Sequence, residues 1–328
     1  MKKLLNLLFE NYTLSEEEAY QIMVDISESK YSDIEIASFL TVFNMRNITL
    51  PELNGYRRAL LDLCHQVNMP NQGLDIVGTG GDGKDTFNIS TLSAFVIAGA
   101  GEKVIKQGNY GASSVSGSSN MLENFGYEFS NNETKLNREY DEIGITFLHA
   151  PLFHPALKKV APLRKSLGVK TFFNLMGPLV NPVQPTHQNL GTFDVKTARL
   201  YHYVMQNSDN KFSISTALDG YDEISLTSPT KVYTNEGEFL IQSQDFGFET
   251  IKAEEISGGI SIEDNAKIFL SVLKNESSKA RKNVVLANSA LGLKTINPTK
   301  DLKECVAIAE ESLSSGKAFE IFKKLTNR

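Results

Sequence analysis

A chain of 328 residues that is 41% hydrophobic and 22% charged is long enough for one large or two modest domains, and too well balanced for a fibrous or largely disordered protein. Its 39 acidic against 33 basic side chains give a formal charge of −6, which argues against a protein whose affinity comes from neutralising duplex phosphates. The two cysteines, Cys64 and Cys305, stand too far apart for a metal motif or a disulfide framework, so reduced thiols in a cytoplasmic protein are expected.

Lys2-Lys3 ahead of Leu4, Leu5, Leu7, Leu8 and Phe9 imitates the start of a secretion signal. Asn6 interrupts that run, Glu10 closes it and no small-residue cleavage site follows, so the pattern predicts a short amphipathic helix. No stretch approaches the ~20 apolar residues of a membrane span. Three capping boxes then punctuate the chain: Ser15-x-x-Glu18, Ser32-x-x-Glu35 and Thr49-x-x-Glu52, the last with Pro51 in the first turn. Ile36, Phe39, Leu40 and Phe43 recur at helical spacing, as do Leu53, Tyr56, Leu60 and Leu63. Residues 1–70 are therefore expected to form a small all-helical domain.

The pattern changes after Pro70. Leu74 to Val77 predicts a strand running into a glycine loop, and an apolar helix is expected from about Thr91. Further strands are predicted at 103–106, 145–148 and 211–218, with a helix over Met121 to Phe125 closed by Gly126. Thr227 to Leu240 has hairpin character around Asn235-Glu236-Gly237. Helices near 262–274, 278–293 and 301–325 finish the chain. Alternating strand and helix predicts an α/β domain over 71–328 with a central, mostly parallel sheet.

Residues 78–91 invite two familiar readings that fail on detail. Gly78, Gly80 and Gly83 fit the dinucleotide pattern G-x-G-x-x-G, but the helix starts too late for Gly83 to pack in its first turns. Gly78 to Lys84 fits a P-loop until Asp85 takes the place of the hydroxyl residue that would bind magnesium. What remains is general: four glycines let backbone amides approach an anion, and Asn88, Ser90 and Thr91 stand at a helix entry that favours phosphate. A structural turn with Ser90 as helix cap is the alternative. A second loop, Lys106 to Asn120, carries three glycines, five serines and a lysine, again between strand and helix. Unless that loop is simply flexible, two such cradles at one carboxyl edge predict a ligand with two separated phosphates.

The segments GTGGDGKDTFNIST, KQGNYGASSVSGSSNMLE, HAPLFHPALKKVAPLRKSLGVKTFFNLMGPLVNP and DGYDEIS resemble, in order, the signature segments of the anthranilate phosphoribosyltransferase family. That resemblance implies a fold like the pyrimidine nucleoside phosphorylases, with part of 160–190 joining the helical domain, usually as a homodimer. It implies a pentosyltransferase that joins anthranilate to the ribose of phosphoribosyl pyrophosphate (PRPP) and releases pyrophosphate, in tryptophan biosynthesis. PRPP would be held by Gly78, Gly81, Asp82, Thr86, Asn88, Ile89, Ser90 and Thr91, and by Lys106, Gln107, Gly108, Asn109, Ser113, Ser114 and Ser118. Ser90, Asp222 and Glu223 would bind magnesium, two ions per subunit; without the resemblance, Asp219 to Glu223 reads as a solvated acidic turn. Gly78, Asn109 and Arg164 would contact anthranilate, with Lys106, Asn109 and Arg164 as the residues closest to the chemistry.

This chain has Gln107 and Tyr110 where the commonest form of the second loop has His and Arg, and Asn120 where it has Asp. Gln107 can hydrogen-bond but cannot titrate near neutrality. Two other readings share these features: a pyrimidine nucleoside phosphorylase, and a non-catalytic relative that binds nucleic acid. The acidic balance and the Asp222-Glu223 pair disfavour the latter.

Overall fold

The computed structural model describes residues 1–111 and 115–327, in two compact units. One comprises Met1–Val67 with Ala150–Pro182, the other Asn68–His149 with Val183–Arg328. The chain thus leaves the helical unit once and returns to it; the returning segment starts before residue 160 and ends before 190.

In the helical unit the three boxes close as their sequence dictates. Ser15, Ser32 and Thr49 cap the helices Glu16–Ser27, Asp33–Met45 and Leu50–Asp62, each in reciprocal bonds with the glutamate three residues on. Glu52 is fully buried and does more than close its box. Its carboxylate also accepts from the Leu14 N–H (3.0 Å) and from both terminal nitrogens of Arg46. Burial would raise its pKa, but the Arg46 bonds and the Leu14 and Thr49 amides outweigh that and hold it below the ordinary value. Gly55 brings Leu50–Asp62 against Glu16–Ser27, since a Cβ there would lie 2.7 Å from that of Ala19. The core is aromatic: Phe39, Phe43 and Tyr56 gather around Phe172, which stacks on Tyr56 at 4.7 Å and comes from the returning segment. That segment also supplies the helix Pro155–Leu167.

The other unit is built on a seven-stranded sheet: β1 (Leu74–Gly78), β2 (Val104–Gly108), β3 (Ile145–His149), β4 (His187–Gly191), β5 (Lys211–Ala217), β6 (Thr230–Thr234) and β7 (Gly237–Ile241), in the order β3-β2-β1-β4-β5-β6-β7. β1 to β5 are parallel, and the β6–β7 hairpin adds two antiparallel strands. The helix Ile89–Gly99 follows β1 and is buried along almost its whole length, as its small apolar sequence requires. It begins at Ile89, two residues before the expected Thr91, with Asn88 and not Ser90 at the cap. Gly99 lets the C-terminal helices close on it, because a Cβ would meet the Ala318 nitrogen at 2.6 Å. The long C-terminal helix expected over 301–325 is two, Leu302–Ser314 and Lys317–Thr326, broken at Gly316 with φ +80°.

Candidate active site

The sheet grows one way from β1 through β2 and β3, then resumes on its other side with β4 and β5. The carboxyl ends of β1 and β4 therefore flank a switch point, where neighbouring loops part and leave a crevice. Gly78 and Gly191 end these two strands in register. Both must be glycine for one reason: a Cβ on Gly78 would strike the Asp222 carboxylate, and one on Gly191 the Asp222 main-chain carbonyl. The loop after β5 thus lies directly over the first glycine loop.

Asp222 is buried and Glu223 half-buried, so these two, unlike the exposed Asp219, do not belong to a solvated turn. The Gly80 N–H donates to Asp222 Oδ2 at 2.6 Å; the Ser90 N–H donates to Glu223 Oε1 at 2.8 Å and the Thr86 hydroxyl to Oε2 at 3.4 Å. Gly80, Gly81 and Gly83 adopt left-handed φ values of +64°, +72° and +73°, which turn the loop back over the sheet. Burial raises the pKa of Asp222, with Asp82 adding to it; burial and then Asp222 raise that of Glu223. Two carboxylates beside a serine form an oxygen donor set in which burial and mutual repulsion disfavour the charged forms. Among the described residues no three His, Cys, Asp or Glu side chains form a closed metal cage. An open pair of this kind suits an ion that keeps waters and shares ligand oxygens.

Lys106 is the buried cation beneath this cluster. Burial lowers its pKa, opposed by Asp75, Glu223 and Asp222 in that order. Its ammonium donates to the Ile76 carbonyl. Gln107, also buried, donates its N–H to Asp75 Oδ1 at 3.1 Å. In the second loop the Asn109 carbonyl accepts from the Ser119 N–H (3.2 Å) and the Ser118 hydroxyl (3.4 Å), and Asn88 of the first loop donates to the Ser116 carbonyl (3.0 Å). Asn120 Oδ1 accepts from the N–H groups of Gly111 (2.9 Å) and Gly117 (3.0 Å), so it ties loop to helix as well as capping. Tyr110 donates its hydroxyl to Glu123 at 2.8 Å and sets its ring edge-on to His149.

The α/β unit therefore gathers Gly78, Gly81, Asp82, Thr86, Asn88, Ser90, Thr91, Lys106, Gln107, Gly108, Asn109, Ser118, Asp222 and Glu223 on strand ends, loops and first helical turns at one sheet edge. Ile89 sends its side chain into the core and its N–H to the Phe87 carbonyl. Ser113 and Ser114 lie outside the described residues. Arg164 belongs to the helical unit, where it is half-buried and not a surface charge like its lysine neighbours. Asn174 Oδ1 accepts from its Nη2 at 3.1 Å, and among the described residues it has no carboxylate partner. Sequence reasoning missed Asp75 and Gly191. An acid inside the apolar run Leu74 to Val77 was the available signal for the first; Gly191 ends a strand too polar to be noticed.

Known proteins share this fold. Residues 71–319 match the glycosyl transferase family a/b domain and residues 2–64 its helical bundle domain, so the chain belongs to that two-domain class of transferases. A curated anthranilate phosphoribosyltransferase of Cytophaga hutchinsonii is 52% identical over 99% of both chains. The crystal structure of the enzyme of that name from Thermus thermophilus superposes with a TM-score of 0.89 at 32% identity, covering 98% of each chain. The Saccharomyces cerevisiae enzyme, solved with PRPP and Mg, gives 0.89 at 26% identity, covering 96% of this chain and 93% of that one. Within its class, this chain is a member of the anthranilate phosphoribosyltransferase family.

Proposed function

We propose that the protein transfers the 5-phosphoribosyl group of PRPP to the amine of anthranilate, releasing pyrophosphate. The observation that carries this reading is the seating of Asp222 and Glu223 on the amides of Gly80 and Ser90, beside the buried Lys106. Bound at Ser90, Asp222 and Glu223, magnesium would neutralise pyrophosphate charge; these donors suit it because hard oxygen ligands and few protein contacts are what it takes. The first glycine loop would grip one phosphate group, and the second loop the other.

Bond breaking at the ribose leaves negative charge on the departing pyrophosphate, which the buried Lys106 would oppose. The aromatic amine sheds its proton only as the new bond forms, so positioning matters more than a strong base, and Gln107 need not titrate. Arg164, steadied by Asn174 and with no carboxylate partner among the described residues, would anchor the carboxylate of anthranilate. The same reading has two magnesium ions per subunit, in a cytoplasmic homodimer; metal-titration calorimetry and light scattering test both. The decisive assay mixes protein, PRPP, magnesium and anthranilate. Anthranilate fluorescence should fall, and a steady signal with folded protein would exclude the activity.

A further inference from the structure

Leu74 sets the phase of pairing between β1 and β2: its N–H donates to the Lys103 carbonyl at 2.9 Å, and it stands in register with Val104. β1 stays in register with β4 from Leu74 to Gly78, and β2 with β3 from Val104 to Gly108. Among the described residues β1 and β2 are registered at Leu74↔Val104 alone. Beyond that point two buried side chains join the strands, in opposite directions. Asp75 of β1 accepts the Gln107 N–H of β2, and Lys106 of β2 donates to the Ile76 carbonyl of β1. Continued parallel pairing would have brought the Gln107 N–H to the Ile76 carbonyl, so side chains now serve the two groups that the ladder would have joined.

The position of this junction gives it a use. The first glycine loop leaves β1 at Gly78, and the second leaves β2 at Gly108. Whatever sets the gap between these strand ends sets the span between the two loops. Asp75 and Lys106 are almost wholly excluded from solvent, and a buried carboxylate is costly without a partnering cation and donor. We infer that Asp75 is a positioning residue for PRPP, which acts through Lys106 and the Gln107 amide to fix the spacing of the two phosphate loops. This rests on the phosphoribosyl-transfer reading above.

Two variants separate charge from hydrogen bonding. Asp75→Asn keeps an oxygen for the Gln107 N–H but loses the charge; Asp75→Ala loses both. The KM for PRPP should rise about tenfold in the first and further in the second, because small misplacements of a bound substrate are amplified in rate. The KM for anthranilate should stay within about twofold, since its anchor is elsewhere. In a double-mutant cycle, Lys106→Gln should add little to Asp75→Asn, as expected of residues acting as one unit. Exchange of the Gln107 amide, followed without any substrate, should quicken in Asp75→Ala and much less in Asp75→Asn. An unchanged exchange rate, an additive cycle or equal damage to both KM values in a folded Asp75→Asn protein overturns the inference. If wild type neither binds nor uses PRPP, the functional reading fails, and with it the role toward PRPP, while the exchange experiment still decides whether Asp75 joins the strands.

Discussion

Arg164 shows how much a single side chain's surroundings decide. On the sequence it is one cation in a basic stretch; in the fold it is half-buried and held by Asn174, with no acid to neutralise it among the described residues. Arg164→Ala should raise the KM for anthranilate roughly 10- to 100-fold, the scale of a charge-assisted bond of ~1.5–3 kcal/mol, and change that for PRPP far less. Steady-state kinetics with each substrate varied in turn checks this, and equal effects would mark the residue as structural. Asp222 makes the complementary case. Its folded pKa lies above the unfolded value, so the stability it lends is complete at acid pH and lost as pH rises through the folded pKa. Without metal, Asp222→Asn should therefore gain in melting temperature relative to wild type between pH 5 and pH 8. Transfer should fall about 100-fold or more, ~2.7 kcal/mol of barrier. Thermal melts with chelator at the two pH values test the first half, and the fluorescence assay the second.

At the scale of elements, Leu50–Asp62 depends on a carboxylate that serves cap and core together. Glu52 has no solvent exposure and Arg46 little, so losing one partner strands the other's charge. Arg46→Ala should cost about 3–5 kcal/mol, and pairing it with Glu52→Gln should recover part of that loss. Urea unfolding followed by circular dichroism would show both. Glu52 was readable as a capping residue because the Thr49 box is local, within four positions; its bonds to Leu14 and Arg46 are not local and left no mark in the pattern. The same contrast runs through the chain. The two glycine loops, the strands β1, β2, β3 and β5 and the hairpin announce themselves by alternation and turn residues. β4 does not, because His187, Gln188 and Asn189 fill a strand whose neighbours bury it; Gln188 and Asn189 are 3% and 5% exposed. The break at Gly316 was hidden by apolar periodicity on both sides. The junction at Asp75 could not be read at all, since it depends on which strands become neighbours.

For the whole molecule, the family assignment follows from the two matched domains, and one sheet edge collects the candidate residues from the ends of β1 and β2 and from the loops after β1, β2 and β5. No loop alone distinguishes a phosphate cradle from a tight turn; here the Asp222 carboxylate lies over Gly78 and its main-chain carbonyl over Gly191, which brings a third loop to the same place.

The returning segment Ala150–Pro182 also bears on how the chain is made. A ribosome releases residues 1–67 first, yet the aromatic cluster of the helical unit lacks its central ring until Phe172 emerges. By then β1, β2 and β3 have already been synthesised, while β4 and β5, which complete the parallel sheet, have not. The helical unit therefore cannot complete its core until three strands of the other unit have been made, and until then a nascent chain holds two incomplete cores at once. A fragment of residues 1–67 should accordingly show weak, non-cooperative thermal unfolding by circular dichroism. Joining it by a short linker to residues 150–182 should restore a sharp transition; equal cooperativity in both would mean that Phe172 and its segment are dispensable to the core.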